Sequence, residues 1–227
     1  MSKPASIAID GPGGAGKNSV GRLLAKRLGY RIIDTGAMYR ALTWKLLRLG
    51  IDLGDEEELS RLARETEIDL VPGLGGDEDC RVKVSGIDVS SHIRGEDVER
   101  YVSQVSKAPG VRDAMVAQQR KLAQQGRVVM IGRDIGAVVL PDADLKIYLD
   151  ASANERARRK YREMVQQGKQ ADYDRILADL ERRDRIDSER AVSPLRPAED
   201  AVIINTDGLD LPEVLSRIIQ LIDSREQ

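Results

Sequence analysis

The 227-residue sequence is short of three things, and each shortage removes a class of function. Its one cysteine, Cys80, cannot form an intrachain disulfide, and a cysteine-rich metal site is excluded. Its one histidine, His92, leaves no material for a multi-histidine zinc site and almost none for a His-based triad. No apolar run approaches the ~18 residues that a membrane span requires. Met1 to Ser6 runs straight into a short apolar strand without a signal-peptide pattern, so the expected location is cytoplasmic. Excess charge is scarce as well. A net charge of −2 argues against a protein built mainly to coat nucleic acid.

What is present describes an ordinary folded chain, 41% hydrophobic and 33% charged, long enough for one large α/β domain or two small ones and for a real core. Within that balance, 26 Arg stand against 10 Lys. Arg is the side chain suited to bidentate contacts with phosphate and carboxylate, so the imbalance raises the question of what it grips. The bland alternative is Arg replacing Lys on solvated helix faces.

Along the chain, Ser6 to Asp10 reads as a β-rich run, followed at once by Gly11-Pro-Gly-Gly-Ala-Gly16-Lys17-Asn18-Ser19. Val20, Leu23, Leu24 and Leu28 then share one helical face, and Gly29 stands where a C-cap glycine is expected. Arg31 to Asp34 reads as a second strand and Ala37 to Leu49 as a second helix. Strand and helix alternating across short joints indicate parallel βαβ units.

The middle differs. Asp52 to Asp79 carries eleven acidic and two basic residues. Glu67–Val71, Cys80–Val84 and Ile87–Val89 read as short strands joined at Pro72–Asp77 and Ser85–Gly86, a small antiparallel meander set into the α/β frame. Val98 to Gln125 reads as helix interrupted at Pro109-Gly110. Arg127–Ile131 and Leu145–Leu149 read as buried strands. From Asn154 to Arg190 the pattern is helical and dense in charge; Arg156 to Arg196 holds ten Arg and two Lys against eight acids. Ala201–Ile204 is the last expected strand and Pro212–Ile222 the last helix.

Gly11-x-x-x-x-Gly16-Lys17, placed after a strand and before a helix, carries chemistry. Its glycines let the backbone wrap so that several N–H groups converge on phosphate oxygens at a helix N-terminus. Lys17 supplies positive charge for the β- and γ-phosphates, and a hydroxyl at the helix start can face Mg²⁺. The alternative is a plain Gly-rich turn, which the Lys and the flanking elements argue against. Asn18 stands directly after the Lys, where Ser or Thr is usual, so Ser19 becomes the candidate metal ligand. No Asn-Lys-x-Asp run marks a GTPase, and a helicase or large ATPase would need more chain. A small kinase moving a phosphoryl group from ATP remains.

Three further stretches complete the pattern: Asp34-Thr-Gly-Ala-Met-Tyr-Arg40, Gly132-Arg-Asp-Ile-Gly136 and Arg183-Asp-Arg-Ile-Asp-Ser-Glu-Arg190-Ala-Val-Ser-Pro194. Together with the loop, and in this order from about Ile7 to Ile222, they resemble the bacterial cytidylate kinases, the CMP kinases among nucleoside monophosphate kinases. The resemblance implies an α/β fold: a P-loop kinase core with a parallel β-sheet flanked by helices, a small antiparallel insert and a helical lid. It makes the whole chain, 1–227, one kinase, with residues 36–112 an acceptor-binding region that includes the insert at 66–93. Residues 154–190 form the lid and Arg-rich segment.

The implied activity is transfer of the γ-phosphoryl group of ATP to CMP, with dCMP as a second acceptor and Mg²⁺ as cofactor. The ATP side takes Gly11, Pro12, Gly13, Gly14, Ala15, Gly16, Lys17, Asn18 and Ser19, with Arg158 and Arg159 from the lid, where Arg156 also lies. The CMP side takes Thr35, Arg40, Ser103, Arg112, Arg133, Asp134, Arg183, Asp187 and Arg190. Lys17, Arg133 and Arg183 are the expected catalytic residues. Partners are expected to be these small molecules, with no nucleic acid or membrane, and the chain is expected to be a monomer. His92, Cys80, Trp44 and Tyr39 read as structural.

Three positions depart from the family pattern. Besides Asn18, Ile131 stands where an Asp or Glu normally precedes Gly-Arg-Asp, and Ala137 stands where Thr is usual. Asn18 and Ile131 fall on the metal side of the site, leaving Asp10 and Asp134 as nearby carboxylates. The alternatives to an active CMP kinase are therefore a nucleotide-binding relative with impaired catalysis and a same-fold kinase for another small acceptor.

Overall fold

Ile7, Ala8 and Ile9 are fully buried on both faces of their strand, as a central strand of a parallel sheet requires. The computed structural model describes residues 3–71 and 80–225. In chain order it contains β1 (Ser6–Asp10), α1 (Lys17–Leu28), β2 (Arg31–Asp34), α2 (Thr35–Arg48), α3 (Glu56–Glu65), β3 (Ile68–Val71), β4 (Arg81–Val84) and β5 (Ile87–Asp88). These are followed by α4 (Glu96–Val105), α5 (Pro109–Ala123), β6 (Val128–Ile131) and a π-helical turn at Ile135–Val139. The chain continues with β7 (Leu145–Asp150), α6 (Ala153–Gln166), α7 (Tyr173–Glu189), β8 (Val202–Asn205) and α8 (Leu211–Ser224).

The chain divides into two compact units. The first comprises Met1–Ile32, Gly126–Glu189 and Ser193–Gln227. The main sheet has the order β2-β6-β1-β7-β8, with β1 parallel to both β6 and β7, and β8 parallel to β7. Ile7 and Ile9 of β1, Ile147 and Leu149 of β7, Val20 and Leu24 of α1, and Val214, Ile218 and Ile222 of α8 form its core. Helix α1 ends where Gly29 adopts a left-handed conformation and its N–H returns to the carbonyls of Ala25 and Lys26. Helix α8 begins with a reciprocal capping box between Asp210 and Glu213.

The second unit comprises Ile33–Gln125 and Arg190–Val192. Its core joins Met38, Leu42 and Leu46 of α2 with Leu59 and Leu62 of α3, Val82 and Val84 of β4, and Val111 and Met115 of α5. Strands β3, β4 and β5 form an antiparallel sheet in that order. Val82 and Val84 are buried while Arg81 and Lys83 are half-exposed, the alternation of a sheet covered on one face. Ser85 and Gly86 both take positive φ, 50° and 82°, which matches the tight hairpin between β4 and β5.

The expected meander is present, with its first connection lying outside the described residues and Cys80 one residue ahead of β4. Helix α3 is the element that the acidic composition hid. Asp55 caps it by accepting the Glu58 N–H, Glu56, Glu57 and Glu58 sit in the first turn, and Leu59, Leu62 and Ala63 face the core. Acid at that end complements the helix dipole, so the charge run is a helix start with a buried stripe. The expected helical stretch from 154 to 190 is two packed helices, α6 and α7, with left-handed Gly168 between them.

Candidate active site

The phosphate loop lies in the first unit between β1 and α1. Gly11, Gly14 and Gly16 take φ values of 142°, 82° and 92°, which L side chains rarely adopt. At Gly11 the demand is also steric, because a Cβ there would stand 2.1 Å from the Leu149 carbonyl oxygen of β7. Lys17 is buried, and its Nζ donates to the Pro12 carbonyl at 2.6 Å, which draws the ammonium back over the loop. Ser19 is exposed in the first turn of α1 and Asn18 half-buried beside it.

Buried Arg156 braces this loop from α6. Its Nε donates to the Ala151 carbonyl at 2.9 Å, one terminal nitrogen to the Gly13 carbonyl at 3.0 Å, and the other to Asp184 of α7 at 2.6 Å. A loop carbonyl is thus held from outside the loop. Arg159 lies near the loop's end: a Cβ at Gly16 would be 4.0 Å from its guanidinium. It donates to Glu155 at 3.0 Å and to the Thr206 hydroxyl at 3.1 Å. Arg158 is 59% exposed and faces Glu155 at 3.6 Å.

The stretch after β6 also reaches the loop. A Cβ at Gly13 would stand 3.3 Å from the Arg133 guanidinium, and Arg133 Nε donates to Asp187 at 3.3 Å. Asp134 and Asp187 are both buried, and Arg183 is half-buried on α7. Arg133 and Asp187, 54 residues apart in sequence, are therefore brought together beside the loop.

In the second unit, Asp34 caps α2 by accepting the Ala37 N–H at 3.0 Å, and its other oxygen accepts from Arg40 at 3.3 Å. Glu99 of α4 lies 3.8 Å from Arg40 Nε. Thr35 is buried at the first turn of α2. On α5, Arg112 is buried, lies over the Tyr39 ring at 5.4 Å and donates to the Ser106 carbonyl at 3.4 Å. Ser103 and Arg190 are buried in the same unit. Tyr39 is thus packed, as expected, and also forms the floor under a candidate acceptor residue. Trp44 packs against His92, ring centroids 5.8 Å apart.

The metal side has few donors. Ile131 is buried with its side chain toward α1; a Cβ at Gly21 would stand 2.6 Å from its Cδ1. Asp10 is also spoken for. Its two oxygens accept the N–H groups of Ile135 and Gly136, each at 2.8 Å, and burial pushes its carboxyl from the usual 3.8 up to about 6. Among the described residues no group of three or more His, Cys, Asp or Glu could cage a metal. One helix-start hydroxyl, Ser19, next to a phosphate loop fits a Mg²⁺ ion that arrives on a nucleotide and keeps phosphate and water ligands. It does not fit a dedicated protein cage.

Sequence reasoning missed the roles of Asp10, Asp184, Glu99 and Thr206. Asp10 carried a signal, a carboxylate ending the strand before the loop; Asp184 lay within the Arg183–Arg190 stretch without a role assigned to it, and Glu99 and Thr206 had no motif to mark them.

A glycine-wrapped loop with a buried Lys, set between the central strand of a parallel sheet and its helix, with arginines beside it, defines a P-loop kinase. The family model described as cytidylate kinase matches residues 7–224. A cytidylate kinase of Geobacillus kaustophilus is 50% identical over 225 residues, covering 99% of each chain. One of Desulfitobacterium hafniense is 48% identical, covering 99% of this chain and 95% of its own. The chain belongs to the cytidylate kinase family. Among solved structures, a shikimate kinase from Bacteroides thetaiotaomicron is similar at 16% identity with a TM-score of 0.49, covering 96% of this chain and 97% of its own.

Proposed function

We propose that this chain transfers the γ-phosphoryl group of ATP to CMP, giving ADP and CDP, with dCMP as a second acceptor. The observation that carries the reading is the glycine-wrapped phosphate loop with its buried Lys17, in a chain half-identical, end to end, to enzymes named cytidylate kinase. That likeness also favours an active kinase over a binding protein with impaired catalysis.

In-line phosphoryl transfer leaves little covalent work to the protein, so positioning and cationic stabilisation carry the rate. The N–H groups from Gly11 to Ser19 cradle the phosphates of ATP, and Lys17 leaves the Pro12 carbonyl for the β- and γ-phosphates. Arg133 and Arg183 meet the charge that develops on the transferring oxygens. Arg40 exchanges its partners Asp34 and Glu99 for the acceptor phosphate, with Thr35 beside it. Ser103 and Arg112 meet the cytosine, while Asp134, Asp187 and Arg190 hold ribose and phosphate. Residues 36–112 act as the acceptor region. Residues 154–190 act as a lid that brings Arg158 and Arg159 to ATP and excludes water. Ser19 would hold a Mg²⁺ ion arriving with the nucleotide, and that ion would further neutralise phosphate charge. We read the protein as a cytoplasmic monomer acting on small molecules, without nucleic-acid or membrane partners; among the described residues no helix is long and apolar enough to cross a membrane.

The test is ADP release, followed by a coupled assay, with CMP, UMP and AMP as acceptors. Turnover is expected to be greatest with CMP. Measurable CMP binding without turnover overturns the reading, and preferred turnover of AMP or UMP corrects the acceptor.

A further inference from the structure

Asp10 is nine-tenths buried and belongs to neither substrate side as assigned above, yet its carboxylate is fully engaged. Its Oδ1 accepts the Ile135 N–H and its Oδ2 the Gly136 N–H, both at 2.8 Å and across more than a hundred residues of chain. These are the first two residues of the π-helical turn Ile135–Val139. The opening N–H groups of any helical turn lack partners within it and are normally capped by the residue just before. That residue is Asp134, whose side chain makes no cap hydrogen bond, although its carbonyl accepts from Val138 at 2.8 Å. The cap is supplied from β1 instead. On the other side, a Cβ at Gly136 would stand 3.1 Å from the Lys146 side chain, which is itself paired with Asp200 at 2.8 Å. The turn is therefore fixed from both sides.

We infer that Asp10 is a positioning residue: its carboxylate caps the turn after β6 from a distance, which fixes the backbone that carries Arg133 and Asp134. The inference rests on the proposed acceptor roles of Arg133 and Asp134. Asp10 immediately precedes Gly11, so one side chain sets the spacing between the phosphate loop and the Gly132–Asp134 segment. Two charge-assisted hydrogen bonds hold a peptide more firmly than neutral ones, which suits a segment whose small displacement would misalign Arg133.

The test compares wild type with Asp10→Asn, which keeps one accepting oxygen but faces the second N–H with an amide. Hydrogen exchange over residues 132–140 is expected to rise about tenfold or more on loss of that bond. CMP affinity and kcat/KM for CMP are expected to fall about 10- to 100-fold, while ATP affinity stays within about threefold. Asp10→Ala, which keeps no acceptor, is expected to go further in the same direction wherever it folds. Unchanged exchange overturns the inference, as does faster exchange with CMP binding and turnover unchanged. A parallel loss of ATP and CMP binding, in proportion to lost folded protein, shows a merely structural role and also overturns it. Failure of the wild type to phosphorylate CMP counts instead against the proposed function, and the exchange and CMP-binding measurements still decide the role of Asp10.

Discussion

Lys17 of the first unit is held in a different way from Arg40 and Arg112 of the second. In the first, Lys17 rests on a backbone carbonyl, Pro12, within a loop whose shape is set by three left-handed glycines. In the second, Arg40 is held by the carboxylates of Asp34 and Glu99, and Arg112 by an aromatic ring and a carbonyl. Where the backbone makes the site, one contiguous stretch of sequence specifies it. Where side chains make it, residues from α2, α4 and α5 must each be placed by the core behind them. The first kind of site is expected to fail all at once, the second residue by residue.

The largest effect sharpens the first half of that contrast. Lys17→Ala is expected to lower kcat by about 10²- to 10³-fold, roughly 3–4 kcal/mol, while circular dichroism shows the fold intact. A loss below tenfold would mean that the loop amides carry the phosphates without the Lys.

Asp10 comes next, through stability. Its carboxyl is raised from 3.8 to about 6 in the folded chain by burial. The fold therefore favours the protonated form. That contribution is fully present below pH 4 and is lost as pH rises through about 6. By linkage the difference is about 3 kcal/mol. Denaturant unfolding from pH 4 to 8 should show wild type losing about that much stability relative to Asp10→Asn as pH rises. A difference that does not vary with pH would contradict the burial cost.

On the other side of the contrast, Arg40→Ala is expected to raise KM for CMP about 10- to 100-fold and to leave KM for ATP within about threefold. Equal changes in both constants would show that the acceptor phosphate is not its partner. The smallest effect separates neighbouring lid residues. Arg159→Ala is expected to raise KM for ATP about tenfold and Arg158→Ala about threefold or less, since exposed ion pairs contribute little. The reverse order would mean that the arrangement beside Gly16 and Thr206 is not the one that meets ATP.

The same contrast explains what the sequence disclosed. β1 and β2 were legible residue for residue, and α1 nearly so, because period and glycine punctuation are local signals. Helix α3 was obscured by its own acids, although Asp55 followed by Glu58 is a cap pattern that could have revealed it. The phosphate loop was legible as chemistry. Arg40, Arg112, Arg133 and Arg190 emerged only through the resemblance to cytidylate kinases, because an isolated Arg reads equally well as solvated surface. The Asp10 clamp was invisible, since its partners lie far along the chain and offer only backbone N–H groups. Ile131 was read as a gap in the metal side; the structure shows it packed against α1 at Gly21, a core residue.

The most direct test is transfer of radiolabelled γ-phosphate from ATP to CMP, with the products separated and counted. The account requires label in CDP at a rate that falls with Lys17→Ala and that exceeds label transfer to UMP or AMP. Label released only as inorganic phosphate, or CMP bound without becoming labelled, would contradict it.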